Sequence, residues 1–126
     1  MTDKIAGVDK ARGHRFCPPQ AVLKKIPKLY ETDSIPADDK IVRLRYFGGG
    51  SAYWLIVELD QETGEAFGYA ELFAGCGEWG YIFLPELAEF QNPNRPWEMI
   101  ERDLYLDENV TFKQEMNKSV QTGVEI

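Results

Sequence analysis

Histidine, cysteine and long apolar runs are all scarce in this 126-residue chain, and each shortage closes off a class of chemistry. His14 is the single histidine and sits among charged residues, so neither a nucleophile-histidine-acid triad nor a histidine-rich metal site has partners to build on. The two cysteines, Cys17 and Cys76, lie far apart and form no CxxC or Cys/His spacing that would hold zinc. Free thiols in a reducing compartment are expected, with a bond between the two left open, because a small secreted scaffold carries more pairs. Nowhere do about 18 apolar residues run uninterrupted, and MTDKIAGVDKARGHRF lacks an apolar leader core. The expectation is a cytoplasmic protein with no membrane span. Gly48, Gly49 and Gly50 invite a phosphate-loop reading, but no Lys-Ser/Thr pair follows them and the next run is strand-like. No catalytic residue, metal or cofactor is assigned.

What is abundant is acid. The net charge is −7, yet Met1 to Leu29 holds seven Lys/Arg against Asp3 and Asp9, or +5, which leaves −12 on the remainder. From Glu58 to Glu108 thirteen Asp/Glu face only Arg95 and Arg102. Such a surface repels nucleic-acid phosphates and attracts basic proteins; it also simply keeps a protein soluble. With 44% apolar and 13% aromatic residues, the chain has the means to bury one core.

The chain is organised around Ile41 to Leu84, where four runs of β-formers are separated by short turns containing glycine. Consecutive hairpins look like this in sequence. The fold class expected is α+β: a small antiparallel meander of four to five strands packed with one or two short helices. Arg43 and Arg45 alternate with Val42, Leu44 and Tyr46 and should look outwards. Tyr53, Leu55, Val57 and Leu59 should share one face of their strand, opposite Trp54, Ile56 and Glu58. The small-residue face of Ala66, Gly68, Ala70 and Leu72 suggests a closely packed helix or room for a ligand.

Around this centre, residues 1–17 read as a mobile basic arm carrying Lys4, Lys10, Arg12 and Arg15, residues 18–108 as a single domain, and residues 109–126 as a polar tail with a mobile end. A short amphipathic helix is expected from Gln20 to Ile26, ended by Pro27, and a second at FLPELAEF, with Pro85 near its first position and Leu87 and Phe90 facing inwards. Residues 92–96, NPNRP, mark a turn, and IERDLYL a last edge strand.

The ordered set PKLYETDSIP, YWLIVELD, FGYAELFAGCGEWGYIFLPEL and IERDLYL resembles the bacterial family catalogued as domain of unknown function 2958. The resemblance runs from about Pro18 to Glu108 and omits both ends. It implies a small α+β domain often carried by plasmids, phages and other mobile elements, with no catalytic residues to transfer.

Two functional classes can be set against each other. An enzyme would have to use Glu58, Asp60 and Glu71 near Tyr53, Tyr69 or Tyr81, since paired carboxylates divide acid and base roles when burial separates their pKa values. A binding module would use aromatic anchors among carboxylates, and the binding residues expected are Trp54, Glu58, Asp60, Glu71, Glu78 and Trp79, with Trp97 a further exposed candidate. These tryptophans could equally be core. The partner expected is a basic protein, in its sharpest form a nucleic-acid-binding nuclease of bacterial defence, inhibited by occupation of its basic groove. Direct nucleic-acid binding is expected only through the arm.

Overall fold

The computed structural model describes residues 3–48 and 50–125; Met1, Thr2, Gly49 and Ile126 lie outside them. Strands β1 (Leu44–Gly48), β2 (Ala52–Leu59), β3 (Glu65–Glu71) and β4 (Gly77–Phe83) form the expected antiparallel meander, and a short strand β7 (Glu101–Arg102) adds to the free edge of β1, giving the order β4-β3-β2-β1-β7. The fold is α+β. The edge strand read from Ile100 to Leu106 is reduced to two residues because the chain leaves the sheet at Asp103. Helix α3 (Leu84–Glu89) follows β4 with Pro85 in its first turn, and a small separate hairpin, β5 (Gln91–Asn92) and β6 (Arg95–Met99), occupies the segment read as a simple turn.

One irregularity decides which side chains share a face. The pairing of β2 with β3 runs Ile56 to Gly68 and then Glu58 to Phe67, so Val57 is an extra residue bulged out of the ladder. Alternation is reset there. Trp54, Ile56 and Leu59 join one core with Leu44, Tyr46, Ala66 and Ile82, while Leu55 joins the other with Val42 and Phe112. The expected inner face Tyr53-Leu55-Val57-Leu59 is therefore split, and Glu58 is turned inwards. Gly68 is needed opposite the bulge: a Cβ there would fall deep inside the van der Waals radius of the Leu55 carbonyl oxygen.

The first face is covered by the N-terminal quarter of the chain. Residues expected to be a mobile arm form helix α1 (Asp3–Arg12), which buries Ile5, Val8 and Arg12, spaced three and four apart on one side. Gly13 ends it at φ +85°, donating its N–H to Asp9 O. Phe16 then stacks on Tyr46 with ring centroids 4.1 Å apart. Helix α2 (Gln20–Leu23) is shorter than expected, because the hydrogen bonds from Lys25 N to Val22 O and from Ile26 N to Leu23 O tighten the chain into turns before Pro27.

The second face is covered by residues 28–40 and by helix α4 (Phe112–Glu125), where a polar tail was expected. Thr111 caps this helix: its hydroxyl accepts from Gln114 N at 3.2 Å and Gln114 Oε1 accepts from Thr111 N at 2.9 Å, a capping box. Arg43 and Arg45, expected outside, are half-buried, and Arg45 faces Glu115 of this helix at 3.9 Å. Among the described residues no helix is long and apolar enough to cross a membrane.

Candidate functional site

At the end of the sheet nearest the β3–β4 turn, helix α3 stops short of the strand ends on the first face. The uncovered strip is a groove of about 440 Å³ with Trp54 on its floor, Leu72 on one side and Leu87 and Phe90 on the other. Trp54 is 8% exposed, whereas Leu72 and Phe90 are 53% and 42% exposed. Phe73, at the turn itself, is 73% exposed. Apolar side chains standing open together around a buried indole are the floor and walls a protein anchor fills.

The rim is acidic. Glu86 lines the groove, and the register places Trp54, Ala70 and Glu78 in one row across β2, β3 and β4 on the same face. Residues 46–94 contain Glu58, Asp60, Glu62, Glu65, Glu71, Glu78, Glu86 and Glu89 and no lysine or arginine. The exposed Trp97 lies on β6 in the adjacent hairpin.

The six residues expected to bind do not assemble at one place. Trp54 and Glu78 share the groove face. Glu71 and Trp79 lie on the opposite face: Trp79 is half-buried, with Phe112 at 4.7 Å and Phe67 stacked at 5.8 Å, so it belongs to a core. Asp60 holds the β2–β3 turn by accepting from Glu62 N at 3.0 Å. Glu58 is 2% exposed and is removed from any contact surface. It accepts from Tyr30 N at 2.8 Å, Thr32 N at 3.1 Å and the Thr32 hydroxyl, and Lys40 Nζ in turn donates to Thr32 O at 2.5 Å.

The carboxylate-tyrosine constellation is likewise dispersed. Glu58 is consumed by backbone amides and Asp60 sits at the opposite end of β2 from Tyr53. Glu71 does pair across the strands with Tyr53; burial first, then the Glu71 charge, pushes the Tyr53 hydroxyl up to about 12. Tyr81 is pushed to about 12, chiefly by its hydrogen bond to the Tyr30 hydroxyl at 3.2 Å. Phenols held protonated in this way do not act as bases near neutral pH. Among the described residues no group of three or more His, Cys, Asp or Glu could hold a metal ion.

Glu86 carries no expectation from sequence, Leu72 is expected only as part of the small-residue face of β3, and Phe90, expected to face inwards, is instead 42% exposed. A signal for Leu72 was present: Leu72-Phe73 is an apolar pair in the turn of a hairpin, where polar residues are the rule.

No curated protein and no solved structure matches the chain. A family model described as protein of unknown function (DUF2958) matches residues 24–124, so α4 lies inside the family region and α1 outside it. The match covers every strand and two of the four helices, α3 and all but the last residue of α4, and on that ground the chain belongs to the DUF2958 family.

Proposed function

We propose that this protein is a docking module whose acid-rimmed apolar groove receives a basic segment of a partner protein. The observation that carries the reading is the coincidence of Leu72 and Phe90, exposed over the Trp54 floor, with Glu86 in the lining, Glu78 on the same face and no lysine or arginine in the 46–94 span. A partner segment bearing an apolar anchor among lysines and arginines would desolvate the anchor against Trp54 and set its charges towards Glu78 and Glu86. Surfaces that grip nucleic-acid phosphates carry such segments. Occupying one would block it, so inhibition of a bacterial defence nuclease, whether a CRISPR or a restriction enzyme, is the sharpest form of the proposal, with carriage by a mobile element as its genetic setting.

The rival reading, a nucleic-acid accessory protein acting through a free basic arm, has less support. Arg12 is committed to the core and α1 is packed; the cationic residues left exposed there are Lys4, Lys10 and Arg15. The discriminating experiment captures partners with wild-type protein, with Phe90→Glu and with the double charge reversal Glu78→Lys/Glu86→Lys, at low and high salt. A basic protein retained by wild type, displaced by added DNA and lost in both variants supports docking. Capture indifferent to the variants, or DNA binding by the purified chain that Lys4→Ala/Lys10→Ala abolishes, would replace it.

A further inference from the structure

The sheet ends differently at its two edges. Beside β1 the outer strand β7 is only two residues long, and the flanking chain covers that side through Asp103 N to Arg45 O and Val42 N to Val110 O, each 2.8 Å. At the opposite edge β4 runs seven residues, Gly77–Phe83, in unbroken register with β3, and among the described residues no strand lies beyond it. Native sheets blunt an exposed edge with lysine, proline, a bulge or a very short strand. β4 has none of these: its sequence is GEWGYIF, and Glu78 is its single charge.

The phase of its hydrogen bonds shows which groups are left over. Leu84 N donates to Gly64 O at 3.0 Å, so the hydrogen-bonded pairs that follow along the ladder are Ala66 with Ile82, Gly68 with Gly80 and Ala70 with Glu78. Gly77, Trp79, Tyr81 and Phe83 therefore turn their N–H and C=O groups away from β3. Among the described residues no backbone hydrogen bond from elsewhere in the chain reaches them. Their side chains share the second face, where Tyr81 and Phe83 are 55% and 42% exposed. Tyr30, 62% exposed, stands beside Tyr81 with ring centroids 6.5 Å apart. A free edge flanked by open aromatic rings is a surface for strand addition.

We infer that β4 pairs edge to edge with β4 of a second copy of this chain, antiparallel about a two-fold axis at Gly80, joining two five-stranded sheets into one. The strand is complementary to itself in that register. Trp79 lies opposite Tyr81 of the other copy, an aromatic cross-strand pair of the kind that stabilises sheets. Phe83 lies opposite Gly77, which has no side chain, and Glu78 opposite Ile82 rather than a second carboxylate. Gly80 meets Gly80 in a pair without hydrogen bonds, where the two backbones come closest. Because Gly80 is the midpoint of the strand, every outward N–H and C=O from Gly77 to Phe83 finds a partner; any other axis leaves some unpaired, and an axis at Glu78 would set two carboxylates face to face. A basic segment would find only that one carboxylate on the strand, so charge does not select such a partner here. The contact is smaller than a standard interface, and the dimer is accordingly a weak one. It uses the β4 backbone and the second face while the docking groove lies on the first, so either reading can fail without the other.

The test is sedimentation equilibrium of the full chain from micromolar to millimolar concentration, at low and high salt. The expected result is a reversible rise from 14.4 kDa to twice that mass, stronger at high salt because each copy carries −7; docking to a basic partner has the opposite salt dependence. Amide exchange at Trp79, Tyr81 and Phe83 should slow as concentration rises, while Glu78, Gly80 and Ile82, already bonded to β3, should not change. Gly80→Glu adds a Cβ that meets nothing within 4 Å in the single chain, yet it sets two carboxylates opposite each other and should weaken the dimer about fivefold or more. Mixing Gly80→Glu with Gly80→Lys should restore association as a heterodimer. Should Gly80→Glu fail to fold, Tyr81→Glu, at an exposed ring, should weaken association as well. A chain that stays monomeric at millimolar concentration, a dimer in which the amides of Trp79, Tyr81 and Phe83 exchange as fast as in the monomer, or one indifferent to Gly80→Glu and Tyr81→Glu would overturn the inference.

Discussion

The covering of each face of the sheet is tied down by one buried charge, and the two charges are of opposite sign. On the first face Arg12, its side chain fully buried, donates to Ile100 O at 2.8 Å and Ala88 O at 3.0 Å while Asp9 balances its charge. On the second, Glu58 accepts from the amides of Tyr30 and Thr32. A cation ties down carbonyls that the ladder does not use; an anion ties down amides. The two are not equivalent. A carbonyl has a second lone pair and tolerates under-satisfaction, whereas an orphaned buried N–H is rare. The Glu58 closure also restrains Tyr30 at φ +73°, which a bulky side chain adopts only when its surroundings impose it.

If that asymmetry holds, Glu58→Ala should be the most damaging single change, costing roughly 3–5 kcal/mol because two amides and the Thr32 hydroxyl lose their acceptor together. Arg12→Met keeps most of the buried stem and should cost less, about 2–3 kcal/mol. Urea unfolding of both variants checks the order, and a larger loss at Arg12 would break the comparison. Gly68→Ala should cost about 1–3 kcal/mol by overpacking against the Leu55 carbonyl. Because it strains the bulge that turns Glu58 inwards, hydrogen exchange should rise at Tyr30 and Thr32 more than at Phe16.

A smaller effect sharpens the contrast at high pH. The Tyr53 phenol on the second face is raised to about 12 by burial and then by Glu71. The folded state therefore holds a proton that the unfolded state loses near pH 10, so stability is retained below about pH 10 and falls between there and about 12. Tyr53→Phe should flatten that decline. The buried Tyr46 on the first face is raised as well, by desolvation, so part of the decline should persist in the variant.

The meander was legible because Tyr, Trp and Phe alternate between turns that glycine marks, and α3 because Pro85 announces it. The bulge was not, since AYWLIVELD offers apolar residues to both faces and no composition cue says where alternation resets. That single reset moved Glu58 from a surface acid to an interior anchor, whose amide donors come from a loop nearly thirty residues earlier. Helix α4 was readable in the Thr111 to Gln114 capping box, but the polar run after it concealed the signal. Helix α1 offered only Ile5 and Val8 before Arg12, and an arginine on the buried side reads as solvent-facing until its carbonyl acceptors are seen. Around the groove, Trp54 and Glu78 are binding candidates from sequence; Leu72 and Phe90 are not, because which apolar groups stay open depends on where α3 stops.

The docking reading is tested most directly by placing a photo-crosslinking residue at position 90 in the groove, and at the exposed position 105 outside it, in the full chain expressed in a bacterial host. The account predicts adducts to a basic, nucleic-acid-binding protein from position 90, suppressed by high salt and by Glu78→Lys/Glu86→Lys, and none of that partner from position 105. Equal adducts from both positions, or groove adducts that neither salt nor charge reversal diminishes, would contradict it.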